Sequence, residues 1–142
     1  MKSLIVALAA VLSTTIGFGK TPVGNPDVVA ATLIFEAGGE RDPRAMAAVA
    51  EVIFNRAKAK NQTAEQICLA RLQFSCWNGV PVDRGVLKAQ NHPKWNKALQ
   101  LATSSDTSYT NGADHYHTPQ VKPKWAKKLK KTTVIGNHIF YR

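Results

Sequence analysis

A chain of 142 residues, 44% hydrophobic and 20% charged, is sized and composed for one folded domain rather than a disordered or fibrous polypeptide. Nineteen Lys and Arg face nine Asp and Glu, a formal charge of +10, so polyanions are drawn to it. The two cysteines, Cys68 and Cys76, are too far apart for a zinc knuckle and have no second pair.

The chain opens with Met1-Lys2, runs apolar from Leu4 to about Ile16, and reaches a small-x-small exit at Gly17-Phe18-Gly19. That is the layout of a secretory signal, and it falls short of the ~20 residues of a membrane helix. Residues 1–19 are therefore expected to be a cleaved signal, with a signal-anchor as the alternative. Loss of Lys2 leaves 18 basic side chains against nine acidic ones. For an exported monomer such a charge points to anionic cell-envelope polymers and not to nucleic acid, with membrane contact only through residues 1–19 if they stay attached. Export also favours a Cys68–Cys76 disulfide, worth roughly 2–3 kcal/mol in the chain-entropy model.

Residues 20–26 read as a linker. Asp27 is then placed to cap a helix whose body, VVAATLIF, is apolar nearly all round and should be buried. Gly38, Gly39 and Pro43 break the pattern, which leaves Glu36 at or just past the helix end. Asp42-Pro43 starts a second helix with Met46, Val49, Ile53 and Ala57 on one face. Thr63 and Gln66 form a capping box for a short helix to about Leu69. RLQFSCWNGVPVDRG reads as an irregular groove wall. A third substantial helix begins near Pro93 and buries Trp95, Leu99 and Ala102. Ser104 to Asp114 is turn-rich, and HYHTPQVKP is strand-like. Lys122, Lys124, Lys127, Lys128, Lys130 and Lys131 form a solvated helix face with Trp125 and Leu129 turned inward. Gly136-Asn137 marks a terminal hairpin. The class is α+β: a helical lobe of three main helices, short strands and a C-terminal β-hairpin.

Most carboxylates have structural readings. Asp27 and Asp42 cap helices, Glu65 opens one, Glu51 lies mid-helix, and Asp83, Asp106 and Asp114 fall in loops. Glu36 differs, because it follows Leu33-Ile34-Phe35 and precedes two glycines, so it emerges from apolar surroundings that would raise its pKa and keep a proton for a leaving oxygen. A partly buried glutamate paired with Arg41 or Arg56 reads the same residues equally well. Glu40 could be a second carboxylate, although the intervening glycines leave its direction open. Among His92, His115, His117 and His138, the H-x-H pair at 115 and 117 puts two rings on one side of a strand, as in some zinc sites. A zinc-dependent hydrolase is thus the rival chemistry.

TLIFEAGGERDPRAMAAVAEVIFNRAK, then QFSCW, HYHTPQVKPKW and IGNHIFYR, resemble in this order the SleB-like cell wall hydrolases, over residues 27–142. The resemblance implies a lysozyme-like catalytic domain with a sugar cleft. It implies Glu36 as the single catalytic residue of a lytic transglycosylase acting between N-acetylmuramic acid and N-acetylglucosamine, without cofactor or metal; the rivals on the same polymer are a zinc amidase or peptidase acting on its stem peptides and a non-catalytic wall-binding module. Glu40, Gln73, Phe74, Ser75, Tyr116 and His117 fall in the blocks that would line the substrate. Gly38 stands where the family's E-A-R-G-E pattern often has Arg.

Overall fold

The computed structural model describes residues 20–103 and 105–142; the signal-like residues 1–19 lie outside the described residues. The helix α1 (Pro26–Ala37) sits at the centre, with Val28 to Ile34 and Ala37 buried. An apolar sequence all round a helix demands neighbours on every side. Those neighbours are α2 (Ala45–Lys60), α3 (Ala64–Leu69), α4 (Val82–Gln90) and α5 (Trp95–Thr103). The cap of α1 is Asn25 rather than Asp27: Asn25 Oδ1 accepts from the Asp27 N–H at 3.0 Å, which puts Asp27 in the first turn. Glu36 lies within the last turn of α1, ahead of the break, because the Gly38 N–H still closes onto the Ile34 carbonyl at 2.8 Å.

Met46, Val49, Ile53 and Ala57 of α2 are all buried, and the Thr63–Gln66 box caps α3. The expected linker is packed onto that cap: the carbonyls of Pro22 and Val23 accept from Ala64 N and Glu65 N at 3.0 and 2.9 Å. Among the described residues five α-helices stand, where three main ones and the short one after Thr63 were expected. The addition of weight is α4, which replaces part of the expected irregular wall. Gly85 sits against Trp77, where a Cβ would come within 2.5 Å of the ring. Its missing side chain lets α4 pack against the Trp77 ring, and Trp77 Nε1 in turn donates to Thr32 Oγ1 of α1 at 3.0 Å.

Three antiparallel strands, β1 (His115–His117), β2 (Lys131–Ile135) and β3 (His138–Tyr141), form a sheet in the order β1-β3-β2. The β2–β3 hairpin turns at Gly136-Asn137 with Gly136 at φ +57°. The lysine segment does not form the expected helix. Residues 124–127 make one 3-10 turn after Pro123, and Lys131 is already in β2, drawn in by the β-branched run Thr132 to Ile135.

Glu51, at mid-α2 and 4% exposed, anchors the loop before β1. Its carboxylate accepts from Thr107 Oγ1 (2.6 Å), Tyr109 N (3.1 Å), Thr110 N (3.0 Å) and Thr110 Oγ1 (2.9 Å). Four donors are what a buried carboxylate needs to remain in a core. No helix among the described residues is long and apolar enough to cross a membrane.

Candidate active site

Where α1 meets the sheet, Glu36 and Tyr116 come together across 80 residues of sequence. Tyr116 Oη donates to Glu36 Oε1 at 2.5 Å, a short hydrogen bond. Burial, then the Glu36 charge, raises the Tyr116 pKa well above its ordinary value, so the phenol keeps the proton it donates. The Tyr116 ring stands edge-on to His138 at 5.0 Å and tilted against Phe140 at 5.7 Å, which fixes its direction.

The end of α2 holds β1 in place. Asn55 Nδ2 donates to the Ala113 carbonyl at 2.8 Å and Arg56 Nε to the Asp114 carbonyl at 2.6 Å, the two residues ahead of the strand. Arg56 also donates to Gln73 Oε1 at 3.3 Å and lies over the Phe74 ring. Its guanidinium makes no ion pair among the described residues, so the expected alternative of a Glu36–Arg56 pair is not realised. Burial pulls its pKa below the usual value, opposed by Tyr116, Asp114, Cys68 and Glu36.

Glu40 points away from Glu36 into the hairpin. Its Oε1 accepts from the Asn137 N–H at 3.3 Å and lies 3.4 Å from His138 Nδ1, which makes no hydrogen bond itself. A Cβ at position 136 would come within 2.8 Å of Glu40 Oε2, so the glycine of the turn makes room for the carboxylate. Burial lowers the His138 pKa despite the charges of Glu40 and Glu36 and a backbone hydrogen bond with Glu36, leaving a neutral ring behind Tyr116.

The other expected substrate residues separate. Gln73 and Ser75 are exposed, with Gln73 joined to Arg56. Phe74 is 3% exposed and belongs to the core, a correction that follows from its place beneath Arg56. His117 lies apart from Glu36. Strand alternation turns it to the face opposite Tyr116, where Nε2 shares a hydrogen bond with Tyr141 Oη at 3.0 Å and the ring stacks on Tyr141. His115 shares that face, against Trp125 and the Asp114 carboxylate, and His92 accepts from Lys94 N just ahead of α5.

Cys68 and Cys76 are free thiols, not the expected disulfide. Cys68 is turned into the core, where it bonds Thr32, whereas Cys76 is half-buried beside Glu36. Burial foremost pushes both thiols up to about 12.

Arg56 and His138 are the residues of this site that sequence reasoning did not select. Their signal lay in the N-R end of the second helix and in the IGNHIFYR block. A separate cavity of about 360 Å³, lined by Glu51, Phe54, Asn55, Thr103 and Thr107 among others, is lined by neither Glu36 nor Tyr116.

The profile of a family described as cell wall hydrolases matches residues 40–141, with Glu36 just ahead of the matched span. Among solved structures, the chain is similar to the catalytic domain of the germination-specific lytic transglycosylase SleB from Bacillus anthracis, at 24% identity and a TM-score of 0.66. That match covers 89% of this chain and 98% of the other. It is also similar to the catalytic domain of the Bacillus cereus SleB protein, at 25% identity and a TM-score of 0.59, covering 89% and 100%. No curated protein matches the chain.

Proposed function

Because the chain belongs to the cell wall hydrolase family, we propose that it degrades peptidoglycan by cleaving the glycosidic bond from N-acetylmuramic acid to N-acetylglucosamine, with Glu36 as both acid and base. The observation that carries this reading is the hydrogen bond from Tyr116 to Glu36 Oε1, which fixes the carboxyl plane and leaves Oε2 for substrate. The protonated Glu36 gives its proton to the glycosidic oxygen as the bond from the muramic C1 breaks. The resulting carboxylate takes the proton of the muramic 6-hydroxyl while O6 closes onto C1. This yields a 1,6-anhydro end, restores the protonated acid and consumes no water.

Hydrolysis would ask for a second carboxylate across the bond, as base or nucleophile. The nearby acids are otherwise engaged. Glu40 is tied to the hairpin turn and Asp114 to His115 Nδ1 at 2.7 Å. That arrangement supports transglycosylation by one glutamate. In this reading Gln73, Ser75 and Arg56 line the substrate side, and Glu40 shapes the site from behind. A cell-envelope location, periplasmic or in the wall, follows from the substrate.

Mass spectrometry of digested sacculi tests the proposal. Anhydro-muramic ends are expected from the unaltered protein, and none from Glu36→Gln. Reducing muramic ends would make it a muramidase. Released stem peptides, abolished by a chelator and retained in Glu36→Gln, would replace the proposal with amidase chemistry.

A further inference from the structure

From His115 to Arg142 the chain carries six lysines and an arginine and no acidic residue. Lys122, Lys124, Lys127, Lys128, Lys130 and Lys131 are all exposed, and none pairs with a carboxylate among the described residues. These charges are not on a loose tail. Trp125, in their midst, packs on three rings of the sheet: His115 at 4.9 Å, His117 at 5.7 Å and Tyr141 at 5.4 Å. The backbone of Lys130 exchanges hydrogen bonds with that of Arg142 at 3.0 and 2.9 Å. Charges fixed on such a platform lose little freedom when a polyanion docks.

The position of the face matters as much as its charge. Tyr116 reaches Glu36 from one side of β1, while His115 and His117 carry the Trp125 platform on the other. The cationic face is therefore one strand away from the cleft. A polymer with its sugars at Glu36 and carboxylates on side branches would present those carboxylates here. A branch of four residues spans on the order of 14 Å when extended, enough to cross one strand.

We infer that the lysine face of residues 122–131 is a second contact surface for peptidoglycan, taking the carboxylates of the stem peptides while the glycan strand occupies the Glu36 cleft. This rests on the glycan-cleaving reading above. Nucleic acid suits the face less well, because Trp125 spends its ring surface on His115, His117 and Tyr141 rather than offering it to bases.

The test uses the full chain as Glu36→Gln, so that sacculi persist, and measures co-sedimentation at low salt. Three particles are compared: whole walls, sacculi stripped of phosphodiester polymers by acid, and stripped sacculi whose stem carboxylates have been amidated. Binding should survive stripping and weaken about tenfold on amidation, as expected for loss of several exposed ion pairs. Adding Lys122→Gln, Lys124→Gln, Lys127→Gln and Lys128→Gln should weaken binding to stripped sacculi by the same factor and leave binding to amidated sacculi unchanged. The four Lys→Arg changes should bind like the parent, which separates charge from folding. Equal binding by the glutamine variant, no loss on amidation, or loss on stripping alone would each overturn the inference, the last by assigning the face to a phosphodiester polymer. Solubilisation of sacculi by the Glu36→Gln protein would instead refute Glu36 as the catalytic group, a result read from the turbidity of the suspension and distinct from any difference in the fraction bound.

Discussion

Replacing Tyr116 with Phe removes one hydroxyl and leaves the ring, so its contacts at 5.0 Å with His138 and 5.7 Å with Phe140 persist. What goes is the 2.5 Å hydrogen bond to Glu36 Oε1. A hydrogen bond to a charged group contributes roughly 1.5–3 kcal/mol. Glu36 is only half-buried, so water can replace the lost donor and the ground-state cost should be small, about 1 kcal/mol or some 4 °C in melting temperature. The reaction feels the change more, because water does not hold the carboxyl plane. If the bond's full worth is expressed in the transition state, kcat for sacculus digestion falls roughly 10- to 100-fold with KM little changed. Quantified muropeptide release at saturating sacculi, beside a thermal melt, reads both quantities. A Tyr116→Phe enzyme with unaltered kcat would refute the positioning role; an equal collapse of stability and rate would make Tyr116 a packing residue only.

Glu51→Ala should destabilise the protein by about 3–5 kcal/mol, lowering the melting temperature by roughly 12–20 °C, since Thr110 N and Oγ1 are left buried without an acceptor. A melt within a few degrees of the parent would refute the latch. Acid should weaken the fold through His138. Its folded pKa lies below the ordinary 6.5 because of burial, so its contribution is complete above pH 6.5 and is lost as pH falls toward the lowered value. The slope from this one group is at most about 1.4 kcal/mol per pH unit. Urea midpoints between pH 7.5 and 5 should fall in the parent and flatten in His138→Gln; the same slope in both would refute the assignment.

Departures from the local pattern share one cause. Residues 71–85 read as irregular from their aromatic and glycine content, yet Gly85 is a contact point for Trp77 within α4, and nothing local announces a ring arriving from another element. The lysine run reads as helical because charge spacing is compatible with many conformations, whereas pairing with β3 draws Lys131 into the strand and leaves residues 124–127 as one 3-10 turn. Phe74 belonged to the right block but the wrong surface, since a motif records order along the chain and not which side of it faces water.

By itself the sequence determined what depends on short spacing: the buried α1, the apolar face of α2, the Thr63 cap, the hairpin at Gly136-Asn137, and a glutamate leaving an apolar helix at position 36. Tertiary structure decided everything that joins distant segments. Tyr116 meets Glu36 because Asn55 and Arg56 grip the carbonyls of Ala113 and Asp114, 58 residues away in both cases, and thereby set which face of β1 looks at α1. A strand alternates its side chains whatever its neighbours, so HYH always sends one ring opposite to two. Which of those faces meets Glu36 and which carries the Trp125 platform is a matter of packing, and no local pattern encodes it.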